Sequence, residues 1–422
     1  MVPETVQRGY RILDTAGLVA LLERLGSDVR LGGAPSEWRI REVGDGNLNL
    51  VFLIDGTEGS VCVKQALPYV RAAGPSWPMS LERAFFENAY FRAVAPHVGA
   101  RIPEIYHYDP VLYCTVMECL SSHIILRQGL IAGRRYPQMA QGVGEYVARA
   151  CYGTSNFALS CEAKMEAERL FAANQALTRI SVDLIFCDPY RLSARNRHTA
   201  PQLDSLVGEM RGDAALKLAA SRMGLKFMTQ SEALLHGDLH TGSVMVSAAD
   251  CRVIDPEFAL YGPIGFDVGA FFANLLLNWC AQPGHSTPGD DRIAQQEWLW
   301  EQAVAFWNAF RATFLSLWSE AGAGDAYPGA LWTAAQDRIA LQTAREAYLE
   351  NVFADMLGFA ACKMIRRIMG FAHVQDFESI RDPVRRARCE THALTFARLV
   401  LTHPQQFPSL DALRDALTRV HR

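Results

Sequence analysis

An aspartate standing directly behind a glycine, in Leu234-Leu235-His236-Gly237-Asp238-Leu239-His240, has the type and setting for acid-base work. Transfer of a phosphoryl group to an alcohol needs a carboxylate within hydrogen-bond reach of that alcohol, to orient it and accept its proton. Asp238 suits that task. Taken alone, the same residues suit equally a turn in which His236 and Asp238 satisfy only backbone groups.

A second acidic segment, Asp255-Pro256-Glu257, lies 17 positions further on. Two carboxylates flanking a proline at a strand end, where the chain is stiff, offer the oxygen donors that hard Mg2+ prefers, and such a metal would bridge to ATP phosphates. In isolation the triplet is also an ordinary turn with solvated acids. Upstream, Gly44-Asp45-Gly46-Asn47-Leu48-Asn49 bends the chain so that backbone N–H groups can approach phosphates. It lacks the GK[ST] ending of a Walker loop, and Asn49 stands where GxGxxG has its third glycine, so a plain Asp-Gly hairpin turn is the alternative. Lys64, 20 positions after Gly44, projects from the opposite strand face to Val61 and Val63. There it is placed to neutralise nucleotide phosphates, with Glu87, or less readily Glu82, as a helical partner; a solvated strand lysine is the bland reading.

The order of these features is what joins them: glycine loop, strand lysine, helical acid, hinge-like Glu118, Asp238, Asp255. That is the order of parts in an ATP-dependent kinase. A dinucleotide site would want its glycines between a strand and a helix, whereas Leu48 to Ile54 continues as strand.

The elements that must position these residues follow from apolar spacing. Leu48, Leu50, Phe52 and Ile54 share one face, Asp55 to Gly59 turns the chain, and Val61 and Val63 resume the period of two, which predicts a β-hairpin. Ser80 is placed to cap a helix carrying Leu81, Phe85, Tyr90, Phe91 and Val94. A second strand pair is expected through Ile102 to Tyr108 and Leu112 to Met117. Beyond Glu118 the pattern is helical: Lys164 to Ile180, Asp213 to Ser221, Gln295 to Trp318 and Leu341 to Met369. A short β interlude, Ser243 to Ser247 and Arg252 to Ile254, interrupts it. A mixed lobe preceding a larger helical lobe places a cleft between them.

Composition leaves room for this and little else. With 422 residues, half of them apolar, the chain can bury a large core. The net charge of −4, without a long like-charge run, suggests no nucleic-acid or membrane-surface partner and favours a small ligand. The opening residues lack the apolar core of a secretory signal, and Val268 to Ala281 is too short to span a bilayer and reads as a buried helix. Ten cysteines without a CxxC pair suggest neither disulfides nor zinc, so a reduced cytoplasm is expected.

At GDGNLNLVF (Gly44 to Phe52), VKQA (Val63 to Ala66), LLHGDLHTGSVMV (Leu234 to Val246), VIDPEFALYGPIGFDVGA (Val253 to Ala270) and KMIRRIMG (Lys363 to Gly370) the sequence resembles the 5-methylthioribose kinases. These belong to the aminoglycoside- and choline-kinase-like group within the protein-kinase fold. The resemblance implies an α+β, two-lobed protein-kinase-like fold, with a small antiparallel-sheet lobe over residues 1–118 and a larger, mostly helical lobe over 119–422. It implies that Asp238 positions and deprotonates the anomeric hydroxyl of methylthioribose, while Asp255 and Glu257 hold Mg2+ and ATP phosphates, with Pro256 between them. Gly44, Gly46, Asn47 and Lys64 would contact ATP, and Glu118, Cys119 and Leu120 would present backbone groups to adenine. Protein kinases supply a metal-binding Asn five residues after the catalytic Asp; that position here is Ser243, so Glu257 would supply the missing ligand.

From sequence alone, Arg366-Arg367 in a helical pattern is a solvated face. By the resemblance the pair reaches the site, to stabilise charge on the moving phosphoryl group or touch the sugar. Adjacent helical residues point about 100° apart and can share one task only near a helix end, and Arg366 is weighted above Arg367. Trp77 resembles a loop near the substrate, and Asp267 a structural acid that braces the catalytic loop. A homodimer is implied as well. The rival readings are a related kinase for another sugar, an amino sugar or choline, and a silent nucleotide-binding regulator with the same fold.

Overall fold

The computed structural model of the chain describes residues 9–44, 48–71, 74–320 and 324–421. The alternating apolar residues of the amino-terminal part form a five-stranded antiparallel sheet: β1 (Arg39–Glu42), β2 (Asn49–Asp55), β3 (Ser60–Ala66), β4 (Ile105–Asp109) and β5 (Cys114–Glu118), in the order β1-β2-β3-β5-β4. Phe52 lies opposite Val63 and Ile54 opposite Val61, so the alternation of both strands turns the same face to the core. Buried Phe52, Ile54, Val61, Val63, Cys114 and Val116 pack there against Leu18, Leu21 and Leu22 of the helix Thr15–Leu25. Lys64 is left on the other face of β3, opposite Val51 and Thr115.

That second face carries the helix Arg83–Val98. Ser80 does not serve as its N-cap: the cap position is Glu82, and the Ser80 Oγ accepts the Glu82 N–H at 3.2 Å instead. The helix starts late because the Arg83 guanidinium is drawn inward, donating to the carbonyls of Leu67 (2.9 Å) and Ser80 (2.6 Å) and to the Asn49 Oδ1 (2.9 Å).

After Glu118 the chain is mostly helical. Every residue of the helix Ile264–Ala281 is buried, and helices Met139–Gly153, Ile293–Glu320 and Ala335–Met369 pack around it. Among the described residues it is also the helix long and apolar enough to cross a membrane, and it lies wholly inside the molecule. The expected helix over Lys164 to Ile180 is two helices, Cys161–Phe171 and Gln175–Ser181, with a sharp bend between them. Asn174 stands at the break with ψ +48°, outside the helical range, and its Nδ2 donates to the carbonyls of Glu257 (2.9 Å) and Ala259 (3.0 Å). The β interlude is real and short. β6 (Ile124–Ile125), β8 (Val244–Val246) and β9 (Cys251–Val253) form one small sheet, and β7 (Ala233–Leu235) pairs with β10 (Leu260–Gly262) in another. Between them these strands present the loops 236–243 and 254–259.

Candidate active site

β7 ends at Leu235 and delivers His236-Gly237-Asp238 into a turn. Gly237 has φ +83°, and a Cβ there would lie 2.1 Å from the carbonyl oxygen of Phe258, so only glycine fits. Asp267, in the first turn of the helix Ile264–Ala281, accepts the N–H groups of His236 (2.6 Å) and Gly237 (3.1 Å). The His236 ring is buried, with Nε2 2.9 Å from the Ile254 carbonyl, which ties this loop to the strand leading into Asp255. At the far end, the Ser243 Oγ donates to the Asp238 carbonyl at 3.2 Å and lies 3.0 Å from the His240 Nδ1.

The Asp238 carboxylate faces two cations and the His240 imidazole, which burial holds well below its ordinary 6.5 and so uncharged near neutrality. Its Oδ1 lies 3.5 Å from the Arg367 Nη2 and 3.6 Å from the Lys363 Nζ, and its Oδ2 lies 3.5 Å from the His240 Nε2. Burial pushes this carboxyl up, but His240, Arg367, Lys363 and Arg366 outweigh it and hold the group well below the ordinary value of 3.8. Asp238 is therefore ionised, and its contacts are long enough to leave lone pairs free for an alcohol.

The two arginines sit in the last turn of the helix Ala335–Met369, where they can converge. Arg367 faces Asp238 and also donates from Nη1 to the Ala372 carbonyl at 3.1 Å. Arg366 is equally buried, yet its Nε and Nη1 have no hydrogen-bond partner among the described residues. An arginine left with unmatched donors beside a charged carboxylate is a ready donor to an anionic group. Phe371, directly beyond this helix end, packs on Trp77 with ring centroids 4.8 Å apart, so the loop from the sheet side meets the arginine segment.

The second acidic segment gathers around Lys64. Its Nζ pairs with Glu87 Oε1 at 2.8 Å, Glu257 Oε1 at 3.1 Å and Asp255 Oδ1, whereas Glu82 is not among its partners. Asp255 has φ +70°, unusual for a side chain other than glycine's, and the strained turn aims its carboxyl back at the lysine. Burial lowers the lysine, but these three acids outweigh it and hold it charged well above its ordinary value. Burial pushes the Glu87 carboxyl up to about 8 and Asp255 up to about 6, against the pull of Lys64. Although 44% of the Asp255 side chain is open to the cleft, the cleft's walls and the Glu257 charge still disfavour its ionised form. Glu257 is shielded by Arg83 and Lys64 and, despite burial, is held below its ordinary value.

Oxygen atoms of Glu87, Asp255 and Glu257 lie within 4.8 Å of one another, and the Glu257 Oε2 has no hydrogen-bond partner among the described residues. Three carboxyl groups, two of them pushed toward protonation by burial and so able to gain charge when a cation displaces their protons, make an all-oxygen donor set that fits a hard divalent cation.

Gly44 stands at the turn after β1, and Gly46 and Asn47 lie outside the described residues. Glu118 ends β5, and its Oε2 accepts from the Arg252 Nη1 of β9 at 3.3 Å, so the connection to the helical part is pinned near Asp255. Cys119 follows, and the Leu120 carbonyl accepts the His123 N–H at 3.0 Å.

Four residues of the site escape a reading of local pattern: Lys363, His240, Asn49 and Arg83. Lys363, Arg366 and Arg367 stand at i, i+3 and i+4 among Cys362, Met364, Ile365, Ile368 and Met369. A cationic stripe through an otherwise apolar helix end is the signal that identifies it. Asn49 and Arg83 carry no such mark, since their task is to hold Glu257 across the cleft.

The Phosphotransferase enzyme family model matches residues 39–312. A methylthioribose kinase of Escherichia coli O45:K1 (strain S88 / ExPEC) is 40% identical over 97% of this chain and 98% of its own length. Methylthioribose kinase 1 of Oryza sativa subsp. japonica is 42% identical over 96% of this chain and 94% of its own length, and methylthioribose kinase 2 of that plant is 41% identical over 97% and 96%.

Proposed function

The chain belongs to the phosphotransferase enzyme family and, within it, to the methylthioribose kinases, and from that membership we propose that it transfers the γ-phosphoryl of ATP to the anomeric hydroxyl of 5-methylthioribose. The product is methylthioribose 1-phosphate, a step of methionine salvage. The observation that carries the reading is the ionised Asp238, held among cations with its hydrogen-bonding capacity largely open.

In this reading Asp238 accepts the hydrogen bond of the sugar hydroxyl, aims its oxygen at the phosphorus and takes its proton as the bond forms. Lys64, with Gly44, Gly46 and Asn47 nearby in the chain, receives the nucleotide phosphates, and Glu118 to Leu120 receives adenine. Arg366, with unmatched buried donors, meets the charge on the transferred group, and Arg367 holds Asp238. Asp255 and Glu257 would hold Mg2+, which when bound would neutralise phosphate charge. Trp77 closes the sugar side.

Residues 1–118 and 119–422 act as the two lobes, a division supported by the end of the five-stranded sheet at Glu118. A homodimer in the cytoplasm completes the reading; ten free cysteines, most of them shielded, support a reducing compartment. The silent-regulator alternative is not adopted, because each acid needed for turnover is present and partnered. The test is to incubate the protein with ATP, Mg2+ and methylthioribose and follow phosphorus resonances. A new sugar 1-phosphate signal is expected; its absence overturns the reading.

A further inference from the structure

Lys363 is a lysine with almost no exposure whose ammonium makes no hydrogen bond among the described residues. A strongly hydrated point charge does not stay in such a place without compensation. Two neighbours supply it. The Nζ sits 4.1 Å above the centroid of the Phe266 ring, and 3.6 Å from the Asp238 Oδ1. Phe266 immediately precedes Asp267, the acid that receives the His236 and Gly237 N–H groups, so one helix turn supports both the catalytic loop and the lysine.

The two oxygens of Asp238 are thereby made unequal. Oδ1 faces the helix end through Lys363 and Arg367, while Oδ2 faces His240. None of these contacts is short enough to saturate the carboxylate. Charge sets its rotamer, and its lone pairs stay available for the acceptor hydroxyl.

We propose that Lys363 is a positioning residue for phosphoryl transfer: its buried ammonium holds the Asp238 carboxylate ionised and turned toward the acceptor alcohol. This rests on the kinase reading above. The groups facing the lysine are Asp238, Arg366, Arg367 and Asp267, and those facing Asp238 are His240, Arg367, Lys363 and Arg366, with Asp255 across the cleft. Burial pushes Lys363 down to about 8 against the pull of Asp238, so the cation is fully present only on the acid side of that value.

Lys363→Met keeps the length and apolar stem and removes the charge. The expected result is at least a tenfold fall in kcat, a KM for ATP within twofold of the parent, and loss of the fall in kcat that the parent shows as pH rises through about 8, where Lys363 gives up its proton. Lys363→Arg keeps the charge and is expected to keep most of kcat and to hold it through that range. An unchanged kcat and an unchanged basic limb in Lys363→Met overturn the proposal. So does failure of Lys363→Met and the equally long Lys363→Gln to fold, which would make the lysine a core residue only. Hydrolysis of MgATP without sugar, run in parallel, separates the two readings. If the parent protein hydrolyses ATP but never phosphorylates methylthioribose, the substrate reading falls. Equal hydrolysis by parent and Lys363→Met is expected, since the lysine acts through the base of the sugar hydroxyl; a fall in hydrolysis as large as the fall in sugar phosphorylation sinks the role given to Lys363.

Discussion

In the proposed reaction Asp238 is the base, and its charge is a property of its neighbours. A carboxyl desolvated in a cleft would normally rise; here His240, Arg367, Lys363 and Arg366 reverse the sign. Because the folded value lies below the ordinary 3.8, this group contributes stability that is present above 3.8 and lost as pH falls through its lower folded value. The same depression keeps Asp238 out of any acid limb of sugar phosphorylation near or above 3.8, so kcat/KM holds its plateau until other groups or acid unfolding intervene. Asp238→Asn retains shape but cannot accept the proton, and it leaves Lys363 and Arg367 without their counter-charge. We expect kcat to fall by about 10²- to 10⁴-fold with a lowered thermal midpoint, while ATP still protects the protein against heat. Turnover at the parent rate would remove Asp238 from the mechanism.

At the scale of elements, the site is built by short connections between unlike pieces, and these are what sequence pattern conveys least. The hairpin of β2 and β3 is legible in the alternation of Phe52, Ile54, Val61 and Val63, and the sheet places Lys64 on the face that alternation assigns it. The helix Ile264–Ala281 is legible as a buried apolar run. The break at Asn174 is not, because apolar spacing continues through it and the partners of the Asn174 amide lie 83 and 85 residues away, at the carbonyls of Glu257 and Ala259. Nor does spacing tell Glu82 from Ser80 as the start of the helix Arg83–Val98, since the deciding partner is the inward-drawn Arg83. Asn174 thus braces the backbone of the acidic segment itself. Asn174→Ala leaves two buried carbonyls unmatched and should cost about 1–3 kcal/mol in urea unfolding. It should also weaken protection by MgATP, because the Glu257 backbone loses its brace. A variant as stable as the parent would show that water replaces the amide.

Among the contacts between the sheet region and the helical region, two flank the site and have different physics. One is ionic: Lys64 and Glu87 from the sheet side face Asp255 and Glu257, and Asn49 and Arg83 hold Glu257. The other is aromatic: Trp77 packs on Phe371, just beyond the arginine-bearing helix end. In the proposed function the ionic contact serves nucleotide phosphates and metal, and the aromatic one lies on the side where Arg366 and Arg367 converge. This separation makes the two substrates independently adjustable. An aromatic pair of this kind is worth about 0.5–1.5 kcal/mol beyond its buried area, which corresponds to about twofold to tenfold in an equilibrium. Phe371→Ala is therefore expected to raise the KM for the sugar by about that factor, with the KM for ATP little changed. Trp77→Ala should do the same, and the double variant should be little worse than either single one, because both remove the same contact. Steady-state kinetics with each substrate varied in turn measures this. Equal rises in both KM values would place the aromatic contact in lobe closure as a whole, and additive effects of the two substitutions would show that each ring acts through a different neighbour.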